Sequence, residues 1–251
     1  MAFPTTVYLS YGQEKVETEE QKQKLGTRAV TPDGRVFYYS KNSSAAITPA
    51  GKICDGIAAV AAHDMDCAAA AASAGATSFT SGTSLTVTKD QYADGYVVFN
   101  DGPAQGEVYR IKSNTAVSGA TGLSITIDEP DGLRTALTTS SLFGLVYPPY
   151  KDLKIIDGDG TMTTGPLGVN PIPVTASYYF WLQTAGVSSV LSGAAVAVVG
   201  DAVGVSQASG ESGAFDLWDV SSEEDTAPIG TAMGIPSVDT DNQIVMLDIR
   251  N

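Results

Sequence analysis

The chain is poor in the side chains that carry most enzyme and metal chemistry. It holds one histidine, His63, and two cysteines, Cys54 and Cys67, among 251 residues. With a single histidine, Ser-His-Asp and Cys-His catalysis are excluded unless His63 itself serves, and no Gly-Xaa-Ser-Xaa-Gly elbow is present. The run His63-Asp64-Met65-Asp66-Cys67 packs several possible ligands together. A structural metal site draws on two separated ligand pairs, and no second His or Cys cluster completes one, so the run reads as an exposed loop. Two cysteines make no disulfide framework; both thiols are expected to be buried and inert, as in a reducing compartment. Walker A and dinucleotide fingerprints are missing too, so no cofactor is expected. Paired carboxylates carry no signal, because 28 acidic residues allow too many pairs. The expectation is a protein that is not an enzyme, with a polysaccharide-active enzyme the least favoured reading.

Positive charge is the second scarcity. The formal net charge is −14, and no Lys or Arg occurs between Ile155 and Ile249, a stretch with twelve acidic residues. Residues 1–41 differ: six basic side chains (Lys15, Lys22, Lys24, Arg28, Arg35, Lys41) face five acidic ones, leaving +1 there and −15 on residues 42–251. So negative a surface repels phosphate backbones and anionic membranes, so neither nucleic acid nor membrane is an expected partner. Long apolar runs are absent as well: the stretch around residues 185–200 is interrupted by Ser and Gly and too short to span a bilayer. The first residues lack the basic and apolar regions of a signal peptide, so synthesis in the cytoplasm is expected.

What the chain does have is strand grammar. Charged residues are only 17%, and Gly, Ala, Ser and Thr fill the gap, which favours tight turns over amphipathic helices. Residues 35–40, 57–62, 83–88, 95–100, 107–113 and 123–127 read as short strands between Gly and Asp turns, with Leu123-Ser124-Ile125-Thr126-Ile127 a clean period of two. The Ala-rich run 67–76 reads as small-residue strand or loop. Residues 177–184, the most apolar run, predict a central strand buried on both faces. The fold class is therefore all-β: an extended N-terminal arm followed by one or two β-sandwich or β-barrel units. Prolines in Tyr147-Pro148-Pro149-Tyr150 suggest a boundary, giving an arm over 1–41 and β domains over 42–147 and 148–251. Asp157-Gly158-Asp159-Gly160 reads as a turn, because an EF-hand's later ligands are replaced by Thr161 and Gly168; whether Asp157 and Asp159 hold a cation stays open.

Residues 13–24 hold one apolar side chain in twelve, so no helix face there can bury itself. A solvated terminus is the plain reading. An arm ordering on a neighbouring subunit is the other, suggested by flanking aromatics and aliphatics; some 25 extended residues span on the order of 80 Å. Its expected contact residues are Phe3, Val7, Tyr8, Leu9, Tyr11, Lys22, Lys24, Leu25, Arg28, Arg35, Phe37 and Tyr38.

The run from Leu25-Gly26-Thr27 through Asp33-Gly34-Arg35 into Val36-Phe37-Tyr38-Tyr39 resembles the leader of tailed-bacteriophage virion proteins. The likeness continues in residues 95–114, departing from the pattern at Gly102-Pro103-Ala104-Gln105, and in Tyr179-Phe180-Trp181-Leu182-Gln183-Thr184-Ala185-Gly186. Residues 229–236 and 243–249 are similar to the ends of capsid decoration proteins, and the similar segments cover about a third of the chain. The resemblance implies a decoration (cement) protein, commonly a homotrimer, seated on the outer surface of a major capsid protein lattice in the virion. A tail, fibre or spike component that recognises a host surface is the alternative.

Overall fold

A computed structural model describes residues 6–158, 162–193, 197–218, 228–234 and 241–250. The protein is nearly all β, as expected. Before residue 58 come β1 (Thr6–Tyr8), β2 (Arg28–Val30), β3 (Val36–Lys41) and β4 (Ile53–Asp55). Next follow the one-turn helix α1 (Ala61–Asp64), then β5 (Cys67–Ala68), β6 (Ser78–Thr80), β7 (Leu85–Val87), β8 (Tyr96–Asp101) and β9 (Val108–Asn114). The middle of the chain ends with β10 (Val117–Ala120), β11 (Ser124–Ile127) and β12 (Leu142–Val146). The last part holds β13 (Lys154–Ile155), β14 (Gly168–Val169), β15 (Tyr179–Leu191), β16 (Ala202–Val205), β17 (Phe215–Leu217), β18 (Gly230–Ala232) and β19 (Asn242–Asp248).

The chain forms two compact units, one of residues 1–57 with 149–251 and one of residues 58–148. The break expected at residue 41 is therefore not there. β3 runs antiparallel to β15, with Tyr39 opposite Trp181, so the chain's beginning and end share one sheet.

In the first unit eleven strands join, with the order β1-β2-β3-β15-β19-β18-β16-β17 along the main path. β15 is the central strand the apolar run predicts, buried from Phe180 to Ala185. Towards its end, Ser192 bridges Phe215, and the Gly193 N–H bonds to the Phe215 carbonyl at 2.8 Å. The path from β15 through β19, β18, β16 and β17 thus returns to the end of β15. This closed part holds Val190, Val203, Val205, Phe215, Val245 and Leu247 as its core.

In the second unit six strands follow the order β5-β12-β8-β9-β11-β6. A bridge from Ala69 to Ser81 ties the extension of β5 to that of β6, curling the sheet around Phe79, Phe99, Phe143, Ile111 and Ile125. The period of two explains the filling: in β11 Ile125 and Ile127 point inward while Ser124 and Thr126 are half-buried. The three phenylalanines meet with ring centroids 5.3 to 6.3 Å apart, at tilted and edge-on angles that suit aromatic quadrupoles.

Candidate functional site

The N-terminal segment is not an extended arm. Residues 6–41 lie on their own unit, and the stretch 13–24 is held there by polar bonds, which is why its scarcity of apolar residues misleads. Gly12, at φ +93°, turns the chain into the 3₁₀ turn Gln13–Lys15. Glu14 in that turn is 2% exposed; its carboxylate accepts the Gly12 N–H at 2.6 Å and pairs with Arg35 at 3.2 Å. Glu17 accepts both the N–H and the hydroxyl of Thr175 at 2.7 Å. Thr18 makes a two-way backbone bridge with Tyr179 (2.9 and 2.8 Å), and the Lys22 N–H donates to the Tyr39 hydroxyl at 2.9 Å. Every one of these anchors lies inside the unit.

The expected contact residues therefore divide. Leu9, Leu25 and Phe37 are core, packed with Tyr39 and Trp181, and cannot reach a neighbour. Tyr38 stacks on Tyr150 with centroids 4.8 Å apart. Arg35 is engaged by Glu14 and by Asp33 and lies over the Phe37 ring. Phe3 falls outside the described residues. Tyr8 and Tyr11 point outward, 80% and 66% exposed, with Lys22 and Lys24 also exposed and Val7 and Arg28 half-buried. β1 ends the hydrogen-bonded order of its sheet among the described residues.

Of these exposed and half-buried residues, Val7, Tyr8 and Lys22 line a pocket of about 350 Å³, and Tyr11, Lys24 and Arg28 do not. Val7, Tyr8 and Leu9 form one side, Tyr39 and Trp181 the floor, and Val16, Lys22, Gln13 and Gln23 the rim. The floor is rigid: Tyr39 stacks on Tyr179 (5.9 Å) and meets Trp181 edge-on (5.0 Å). Aromatic walls with a cation and two amides can take a partner's apolar side chain or a sugar ring, and Tyr and Trp recur at such anchor points. Trp181, Tyr39 and Val16 were not among the expected residues. The apolar run 177–184 names Trp181 as core, and nothing in the sequence says that one edge of it would stay open.

Three further clusters stand out. Asp55, fully buried, accepts five bonds: from the Gly56 N–H (2.6 Å), the Thr163 N–H and hydroxyl (2.5 and 2.7 Å) and the Thr164 N–H and hydroxyl (2.9 and 2.6 Å). Burial by itself would raise this carboxyl, but the bonds from Thr163 and Thr164 outweigh it and hold it below the usual range. His63 is not in an exposed loop: it is 4% exposed on α1, its Nδ1 lies 2.7 Å from the Tyr92 hydroxyl, and burial pushes the imidazole down. Ser206 Oγ sits 2.6 Å from both Glu211 Oε2 and Asp216 Oδ2, so these two carboxylates converge on one hydroxyl.

No group of three or more His, Cys, Asp or Glu able to hold a metal occurs among the described residues. Asp157 pairs with Lys154 at 3.7 Å, while Asp159, Glu223, Glu224 and Asp225 lie outside the described residues. Both cysteines are buried free thiols, and burial pushes Cys54 up to about 12. No helix among the described residues is long and apolar enough to cross a membrane.

The chain matches no family model, no curated protein and no solved structure. The functional reading therefore rests on the residues themselves, with the aromatic pocket, whose one cation Lys22 is paired with Glu20 at 2.8 Å, as the candidate interface.

Proposed function

We propose that this chain is a virion structural protein, a decoration (cement) protein that binds the outer surface of a tailed-bacteriophage capsid lattice and stabilises it. The observation that supports this most is that Tyr8 and Tyr11 of the N-terminal segment are 80% and 66% exposed, Tyr8 at the aromatic pocket, on a chain of net charge −14. Tyrosine is among the residues most enriched at the anchor points of protein interfaces. The acidic remainder would keep neighbouring copies apart in solution and at the shell surface. Many weak contacts per particle would add up by avidity, so no single site needs to be tight.

Point substitutions on the outward ring faces test the reading. Removing the whole N-terminal segment would not, because it would also delete β1 and β2. The double substitution Tyr8→Ser with Tyr11→Ser should weaken binding to empty capsid shells about tenfold or more, at roughly 1–2 kcal/mol per anchor. Unchanged binding in a co-sedimentation assay would remove this surface from the interface.

The pocket itself favours a second reading, a tail or spike component that recognises a host glycan. Its aromatic floor and the amides of Gln13 and Gln23 suit a sugar ring. Copy number in purified particles separates the two: hundreds for decoration, a handful for a spike.

A further inference from the structure

A second hollow, of about 380 Å³, lies beside β15 and β19 and shares no lining residue with the aromatic pocket. Its size falls in the range of small-molecule sites, about 300–1,000 Å³. The turn Gln13–Lys15 brings Lys15 to it, β15 brings Gln183 and Ser189, and β19 brings Asn242 and Ile244. Loops carrying Gly51 and Pro171 complete the wall. Main-chain bonds fix these parts. The Gly51 N–H donates to the Asn170 carbonyl and the Leu191 N–H to the Gly51 carbonyl, both at 2.8 Å. Gly51, at φ +89°, leaves room for Asn242, since a methyl group there would stand 2.6 Å from Asn242 Nδ2. Buried Glu14 ties its turn to Arg35.

The hollow holds polar groups that the fold leaves unused. Gln183 is 2% exposed, and its Nε2 donates to the carbonyls of Ala185 at 3.3 Å and Val187 at 2.9 Å. Two carbonyls at the nitrogen fix which way the amide faces, so Oε1 is the free end. That oxygen accepts no bond among the described residues, and it is not sealed in the core. An acceptor on so buried a side chain is completed only by a donor from outside. Asn242 repeats the pattern: its Nδ2 donates to Ser189 Oγ at 3.1 Å and to the Ala50 carbonyl at 3.4 Å, and its Oδ1 is unused. Arg35 is balanced by Glu14 and Asp33, whereas exposed Lys15 has no ion pair among the described residues. Val187 and Ile244, 47% and 51% exposed, add an apolar strip.

We infer that this hollow binds a sugar acid, a ring that carries hydroxyl groups and one carboxylate, of the hexuronate class. Ring hydroxyls donate to Gln183 Oε1 and Asn242 Oδ1, the carboxylate pairs with Lys15, and the C–H face of the ring rests on Val187 and Ile244. Simpler ligands leave part of the lining unpaired. A sulfate ion brings only acceptors, so both amide oxygens stay without a donor. A neutral hexose leaves Lys15 without an anion. The net charge of −14 repels anions at a distance, but at about 0.15 M ionic strength that field fades within about 8 Å. Binding then rests on a few hydrogen bonds and one exposed ion pair, which points to a dissociation constant of about 1 mM. This site depends on neither reading of the aromatic pocket.

Titration of the isotope-labelled full chain with sodium glucuronate, followed by amide shifts in two-dimensional NMR, tests this. Saturable shifts are expected at Lys15, along Gln183–Ser189 and at Asn242–Ile244. Glucose, which lacks the carboxylate, and sodium acetate, which lacks the hydroxyls, should each bind about tenfold more weakly. Lys15→Gln, at an exposed position, should abolish the preference for glucuronate over glucose and leave glucose binding unchanged. Asn242→Ala should weaken both sugars by about fivefold or more. Tyr8→Ser with Tyr11→Ser should leave glucuronate binding as it was, which separates this site from the capsid surface. No saturable shift at about 50 mM glucuronate, or glucuronate held no better than glucose or acetate, would overturn the proposal. So would sulfate competing on equal terms, or a preference for glucuronate that survives Lys15→Gln.

Discussion

Asp55 offers the most direct test of what holds the first unit together. Replacing it with Asn keeps the size of the side chain but leaves one carbonyl oxygen where two carboxylate oxygens accepted five bonds. The amide NH₂ would face the donors of Thr163 or Thr164, so at least two donors lose their acceptor in a buried site. At about 1–1.5 kcal/mol for each, Asp55→Asn should cost about 2–3 kcal/mol. A unit of roughly 160 residues converts each kcal/mol into a melting shift of about 2–4 °C, so a fall of about 5–10 °C is expected. Trp181 and Trp218, the only tryptophans, both lie in this unit, so tryptophan fluorescence during a thermal melt follows it selectively. The pH dependence has a definite sign. The folded carboxyl is held below the usual 3.8, so its stabilisation is fully present above that value and is lost as pH falls through the lower folded value. The gap between parent and variant should therefore be level from pH 8 to about 5 and should narrow below about pH 4. A variant that melts within 1 °C of the parent at pH 7 would refute the assignment of Asp55 as the anchor.

Further outcomes follow from the second unit and from the exposed rings. Burial lowers the His63 imidazole pKa, so below 6.5 the unfolded chain takes up a proton that the folded one resists. Stability of residues 58–148 should then fall from pH 7 to 5, and His63→Gln should flatten that slope in urea unfolding followed by tyrosine near-UV circular dichroism. A methyl group on Gly144 would collide with the Asp64 carbonyl, so Gly144→Ala should displace α1 and cost roughly 2 kcal/mol or more in the same assay. By contrast Tyr8→Ser, at an 80% exposed position, should change the melting free energy by less than about 0.5 kcal/mol.

The parts of the fold legible in the sequence are those written in local periodicity. The alternation over 123–127 and the apolar run over 177–184 name a half-buried and a central strand, because side-chain direction in a strand has period two and a doubly covered strand has no polar face. What stayed hidden depends on pairings between distant residues. The bonds from Glu17 to Thr175 and from Thr18 to Tyr179 tie down a stretch whose own composition reads as solvated, and they join residues about 160 apart in sequence. His63 reads as a polar loop residue, since nothing near it in sequence announces Tyr92 as its partner. The pocket combines Tyr8 from the first strand with Trp181 from the fifteenth; the aromatics flanking a polar stretch pointed to the former, and hydropathy hid the latter.

The register of β4 against β13 has a consequence for assembly of the chain itself. Asp55 lies opposite Lys154 and Cys54 opposite Ile155, so residues 58–148 occupy the place of a turn in an antiparallel ladder. The middle unit is therefore a cassette: it is continuous in sequence and can fold as soon as it leaves the ribosome. The outer unit must wait for β15 and β19, made last, before β3 has its neighbour. A folded cassette also restrains the two ends that have to meet, in place of a loose loop of some ninety residues. By the same logic a short Gly-Ser turn, or an unrelated domain whose ends lie close together, should be able to replace it while the outer sheet still forms.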